Sequence, residues 1–160
     1  FETYAAQNFK LHRRGLLRTA PTTLTRATSW KPKSIKTSLL LRVPASLIPS
    51  SLHTFKCLLG YAAGGDSLLD TDMDQTPQQY LTSLLSKVIY APVILKEELY
   101  CQIMKQIKNN GSEESVCKLW QLMVIVLACF VPPTVDLRIV VEEYCQRPFQ
   151  KLKGQTQKTE

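Results

Sequence analysis

Two histidines, five cysteines and thirteen carboxylates are the groups in this 160-residue chain that could make or break bonds. General-base or triad catalysis needs a His set beside Ser, Cys or Asp in a recognisable pattern. His12 sits in the basic run Lys10-Leu11-His12-Arg13-Arg14, and His53 follows Ser50 and Ser51 in a helical stretch. Neither belongs to a GxSxG or Cys/His arrangement. The cysteines are Cys57, Cys101, Cys117, Cys129 and Cys145. They contain no CxxC pair and have no zinc-ligand spacing with the histidines. Asp70-Thr71-Asp72-Met73-Asp74 opens like a calcium loop. Gln75 stands where that loop needs Gly, however, and Leu81 stands at the bidentate Glu position. The acid pairs Glu97-Glu98, Glu113-Glu114 and Glu142-Glu143 are sequence neighbours. On a helix such neighbours diverge by about 100°, so they read as helix-start or surface charges. No glycine-rich phosphate loop occurs. The expectation is a protein that is not an enzyme, with no metal and no cofactor.

The remaining chemistry is charge. The net charge is +7, with +7 in residues 1–36, −3 in 37–146 and +3 in 147–160. A basic end suits an acidic partner. The candidate partner-binding residues are Arg13, Arg14, Lys33 and Lys36 in the N-terminal segment, and Lys105 and Lys108 on the 93–109 helix. The last two are three apart and so share one side, away from the Leu95, Leu99, Ile103 and Ile107 stripe. Lys118 is expected to form a structural ion pair. Trp30 is the one aromatic between residues 10 and 36, which makes base stacking poor. Non-specific contact with nucleic-acid phosphates remains an alternative.

Several elements must position these residues. Apolar residues at helical spacing appear within 2–11, 49–63, 77–89, 93–109, 113–131 and 135–144, and no alternating strand pattern occurs. Ile35, Leu39 and Leu40 suit a further short helix, whereas 15–30 reads as irregular. Thr76-Pro77 predicts a cap followed by Pro at the first helical position, and Ser112 and Thr134 predict caps. Gly64-Gly65 and Asn109-Asn110-Gly111 predict helix ends. Residues 116–131 are apolar nearly all round, which predicts a central helix. The fold expected is all-α: a compact bundle of six to seven helices around an apolar helix at 115–131. Residues 1–147 would form one domain, with an irregular basic segment at 12–33 and a flexible basic tail at 148–160. The longest apolar run, Leu122 to Val131, is about half of a membrane span. Scattered cysteines read as buried residues in a reducing compartment, so the Asn110-Gly111-Ser112 glycosylation triplet carries little weight. The start at Phe1, without Met or an apolar leader, predicts a piece of a longer protein.

Several segments resemble one family. Residues 95–110, Leu-Lys-Glu-Glu-Leu-Tyr-Cys-Gln-Ile-Met-Lys-Gln-Ile-Lys-Asn-Asn, are similar to the signature of the myosin tail homology 4 domain. That signature reads Leu-Arg-Asp-Glu-(Ile/Leu)-Tyr-Cys-Gln, an apolar pair, Lys-Gln and Asn-Pro. Here Lys96 and Glu97 replace Arg and Asp, and the Pro is absent. Trp120-Gln121-Leu122 and Cys129-Phe130-Val131-Pro132-Pro133 resemble the next run of the family. Ile35 to Leu40 and Phe55 to Tyr61 resemble its earlier segments, and Phe1, Tyr4, Ala5 and Phe9 its opening helix. The resemblance implies a helical bundle in the tail of an unconventional myosin (myosin VII, X or XV-like) or of a related kinesin or adaptor. It implies a following FERM domain of the same chain as one partner. It also implies binding of acidic cargo segments or of the acidic tails of tubulin. Localisation would be cytoplasmic and cytoskeleton-associated, without direct membrane contact. The alternative within the family is a structural brace for FERM with no ligand of its own. Tyr100, Gln102, Gln106 and Trp120 are expected to be internal packing and hydrogen-bond anchors.

Overall fold

A computed structural model of the chain describes residues 1–11, 21–63 and 75–156. Within them run seven α-helices: α1 (Glu2–Asn8), α2 (Pro21–Thr28), α3 (Ile48–Ala63), α4 (Pro77–Val88), α5 (Val93–Ile107), α6 (Glu113–Cys129) and α7 (Val135–Thr156). A single 3-10 turn, Ala45–Leu47, leads into α3. The sole extended pairing among the described residues is a bridge between Phe9 and Leu40. Arg13, Arg14, the Gly64-Gly65 stop and the Asp70–Asp74 loop lie outside the described residues.

Local signals place most boundaries. Thr76 and Gln79 form a reciprocal capping box at α4, with Pro77 at the first turn; two backbone N–H groups that the helix cannot bond internally are thereby satisfied. Ser112 caps α6 by accepting from Ser115 N, and Lys118 pairs with Glu114 one turn away at 2.7 Å, as expected. Asn110 holds the corner between α5 and α6. Its amide donates to Gln106 O and Ser115 Oγ, and its oxygen accepts from Ser112 N. Asn109 beside it takes a left-handed φ of 57°, a conformation Asn tolerates better than most residues.

Five expectations change. Residues 21–28 are helical, not irregular: Pro21 starts the helix, and tertiary packing on α1 and α5 overrides weak local propensity. Residues 35–40 are not helical, because their backbone groups are bonded elsewhere, as described below. The Thr134 hydroxyl is buried without a partner and does not cap α7. The innermost helix is α5, not α6. Eleven of the fifteen α5 residues are buried, against four of seventeen in α6. Val124 of α6 is 65% exposed, so the apolar run there covers one side of the core and leaves its other side bare. The 148–156 stretch, expected to be a tail, continues α7.

The core joins residues from every helix except α2, which packs its Leu24 and Ala27 against it. Phe1 stacks edge-on against Phe9 and Tyr144, with centroids 5.8 Å apart in both cases. Tyr144 also meets Trp120 at 5.9 Å. This ties Phe1 to α6 and α7. The α3–α4 pair is tight at Gly60, where an added Cβ would fall 2.4 Å from the Tyr80 ring. Gly60→Ala should therefore destabilise the domain by about 1–2 kcal/mol in urea unfolding. Overpacking would outweigh the roughly 1 kcal/mol of helix propensity gained. A stabilised variant would show that the two helices can separate freely.

Candidate functional site

The polar signature of α5 faces inward. Glu98, Gln102, Lys105 and Gln106 are each at most 3% exposed. Glu97 and Glu98, expected as surface or helix-start charges, are among the most buried polar residues described. What they face is chain without regular structure: residues 29–42 run along α5 as a strap, antiparallel to it.

The strap is fixed bond by bond. Trp30 N donates to Lys108 O at 2.8 Å. Lys31 and Gln106 exchange two bonds, Lys31 N to Gln106 Oε1 at 3.1 Å and Gln106 Nε2 to Lys31 O at 3.0 Å. Further along, Leu39 N and Leu40 N donate to the two carboxylate oxygens of Glu98 at 2.7 and 2.9 Å. Ser51 Oγ and Gln102 Nε2 donate to the same carboxylate at 2.9 and 3.0 Å. Gln102 also donates to Ser51 O. At the far end Arg42 pairs with Glu97 at 3.1 Å. These bonds give the strap the partners that a helix or sheet would otherwise supply.

Lys105 and Lys108 do share a side, but that side is covered. The Lys105 ammonium donates to the carbonyls of Arg26 and Ser29 at the end of α2. Lys108 is half-buried and donates to Glu2 and to Thr28 Oγ1. Both lysines thus fasten α2 and the strap to α5, which takes the place of the exposed patch expected. Contact with Lys108 holds the Glu2 carboxyl down at about 2. Burial pulls Lys105 down to about 8, helped by the charges of Lys31 and Lys108. Tyr100 donates to Phe130 O at 2.5 Å and Trp120 packs on Tyr144. The four signature residues thus act as internal anchors.

Outward from this frame lie the residues open to a partner. Lys33 and Lys36 are exposed on the strap, as are Arg26 on α2 and Arg42 at the end of the strap. Trp30 is 40% exposed and Leu41 56%. No Asp or Glu occurs between Glu2 and Asp66. In the sequence Trp30 is a lone aromatic, and a lone aromatic carries no signal of exposure. In the sequence the inward polar stripe shows as Glu98, Gln102 and Lys105, spaced four and three apart.

The other polar clusters are small. His53 Nε2 lies 3.1 Å from Ser83 Oγ and 3.4 Å from Cys57 Sγ. Burial lowers the pKa of His53 and raises that of Cys57. A neutral imidazole beside a protonated thiol is a weak nucleophilic pair. Cys101 is buried like Cys57, whereas Cys117 and Cys129 are exposed, contrary to the expectation of buried thiols. Among the described residues no group of His, Cys, Asp or Glu could hold a metal ion. No described helix is long and apolar enough to cross a membrane.

An all-helical domain with this architecture is found in solved MyTH4-FERM units. The MyTH4-FERM MF2 domain of Dictyostelium discoideum myosin VII superposes with a TM-score of 0.76 at 23% identity, over 92% of this chain and 30% of that one. The C-terminal MyTH4-FERM domain of human myosin 7b, solved in complex with the harmonin-a PDZ3 domain, gives 0.66 at 20% identity. That match covers 85% of this chain and 25% of the other. The family model for the MyTH4 domain matches residues 81–160. The chain belongs to the MyTH4 domain family. Among curated relatives, the high molecular weight form of myosin-1 from Acanthamoeba castellanii is 35% identical over 115 residues, 72% of this chain. The kinesin-like protein KIN-14I from Oryza sativa subsp. japonica is 30% identical over 105 residues, 66% of this chain. The chain spans 7% and 8% of the length of those two proteins.

Two outcomes follow from the strap. Glu98→Gln puts an amide donor against backbone N–H donors that have no other partner. Urea unfolding should show a loss of about 3 kcal/mol, and a change below roughly 0.5 kcal/mol would mean that the carboxylate is dispensable. Lys105 titrates at about 8 when folded and at its ordinary 10.5 when unfolded. Between those values the unfolded chain binds the extra proton, so the contribution of Lys105 to stability rises with pH across this window. The stability difference between wild type and Lys105→Met should shift in favour of wild type from about pH 8 to 10.5. A difference that stays flat would contradict the burial of the ammonium.

Proposed function

We propose that this domain is a non-catalytic protein-binding module of a motor tail, working beside a FERM domain and taking acidic segments of partner proteins. The observation that carries this reading is the one-sided charge of the surface around the strap. Exposed Arg26, Lys33 and Lys36 lie in a stretch without a single carboxylate from residue 3 to residue 65, and Arg42, paired with Glu97, closes its far end. Such a surface attracts anionic partners and speeds encounter with them. Arg13 and Arg14 add to this charge by sequence. Lys105 and Lys108 serve it indirectly, by holding the strap. Membership in a family whose relatives include a myosin and a kinesin-like protein supports a cytoplasmic, cytoskeleton-associated setting. The harmonin complex of the myosin 7b unit supports protein partners as a class.

A second reading, a brace for a neighbouring FERM domain, is favoured by exposed apolar residues near the start of α7. Val135 and Ile139, one turn apart, are 67% and 50% exposed, and Val131 just before them is 63% exposed. The two readings use different surfaces and are compatible.

Cosedimentation with microtubules, with and without the acidic tubulin tails, tests the first reading. Pelleting should depend on the tails and should weaken between low and moderate salt, since exposed charges are screened over about 10 Å at 0.1 M. Lys33→Glu combined with Lys36→Glu should reduce it severalfold. If the domain pellets with neither microtubules nor an immobilised glutamate-rich peptide at low salt, the acidic-partner reading fails and the brace remains.

A further inference from the structure

We propose that Trp30 is the apolar anchor of a peptide site, where an aromatic or aliphatic side chain of an acidic segment packs on the indole. The carboxylates of that segment would reach Arg26, Lys33 and Lys36. The proposal rests on the acidic-partner reading above and adds to it a specific recognition element.

Three observations carry it. The first is exposure. Trp is the largest apolar side chain, and here 40% of it is open to solvent although the domain has a well-packed core. Trp and Arg are the residues most enriched among interface hot spots. The second is rigidity. The chain on either side of the indole is pinned by four groups of α5 and the turn after it, three of them bonding its backbone. Lys105 bonds Ser29 O, and Asn109 Nδ2 bonds Ser29 Oγ at 3.1 Å. Lys108 O accepts from Trp30 N, and Gln106 takes both the N–H and the carbonyl of Lys31. A segment ordered in the free protein loses little further entropy when a ligand binds, so contacts there are retained as affinity. Lys105, Lys108 and Gln106 are positioning residues in this sense. The third is charge. Arg26 lies four residues before Trp30, Lys33 and Lys36 lie three and six after it, and all three are exposed.

The same observations select a peptide over other anions. More than half of Trp30 is covered, so it is set into the domain surface rather than standing free to enter a bilayer interface. It also stands alone: no second exposed aromatic is described in the strap or α2, whereas single-stranded nucleic acid is held by successive stacking platforms.

The test is fluorescence anisotropy of the 160-residue chain with two labelled peptides. One is a short glutamate-rich peptide with a central Phe, and the other is identical but for Ala at that place. The Phe peptide should bind roughly tenfold tighter, the scale of a modest hot spot. Trp30→Ala should erase that preference and leave both peptides at the weaker level. Trp30→Phe should keep most of it, which guards against a mere loss of folding. Lys33→Glu with Lys36→Glu should weaken both peptides and keep the preference for Phe. Equal, salt-sensitive binding of the two peptides would overturn the Trp30 anchor and leave the acidic-partner reading standing. No binding of either peptide would overturn both. Trp30-dependent binding to phosphatidylserine vesicles without any peptide preference would overturn the peptide as occupant.

Discussion

A buried backbone without regular structure must find its hydrogen bonds somewhere, and in this domain it finds them on α5. The leucine amides at positions 39 and 40 meet both oxygens of Glu98, and the same carboxylate collects Ser51 and Gln102. A carboxyl group so deep in a protein is tolerable only when donors fill the lone pairs of its oxygens. The carboxylate and the strap therefore require each other. The strap is buried because Glu98 satisfies it, and Glu98 is buried because the strap supplies its donors. From this reciprocal arrangement follow the central position of α5, the entry of the chain into α3 through Ser51, and the course of the basic segment.

The arrangement separates two kinds of positive charge. Lys105 and Lys108 are consumed inside, on carbonyls at the end of α2 and on Glu2. Carbonyls at a helix C-terminus carry partial negative charge, which suits an ammonium placed against them. The lysines and arginines of the strap and α2 have no such partners described beyond the Arg42–Glu97 pair and the bond from Lys31 to Ser34 O. The inner set sets geometry, and the outer set supplies the field. A rigid basic surface around Trp30 is the product of both.

Much of the fold could be read from apolar spacing. α3, α4, α5 and α6 fall where the 3.6-residue pattern and the Thr76-Pro77 and Ser112 caps put them. Apolarity alone points to α6 as the central helix, but apolarity is not the same as burial. The apolar run 122–131 leaves Val124 and Val131 in solvent, while α5 buries Glu98, Gln102 and Lys105. Those polar residues are inside because of bonds to segments up to 79 positions away, which no local pattern records. The same long-range bonds explain why 35–40 is not a helix and why the two lysines of α5 are not surface groups. The resemblance on 95–110 identified the family correctly. It could not say that the signature is conspicuous because it is structural. Charge marks Lys33 and Lys36 in the sequence, whereas only its exposure in the fold marks Trp30.

Hydrogen exchange of single amides tests the central claim most directly. If α5 supplies the bonds of the strap, the amides of Trp30, Lys31, Leu39 and Leu40 should exchange as slowly as those in the helices, although no helix or sheet contains them. The unbonded, exposed residues Lys33 and Lys36 should exchange much faster. Fast exchange at Leu39 and Leu40, comparable to that at Lys33, would contradict the account. It would mean that Glu98 does not hold the strap and that the surface around Trp30 is not preformed.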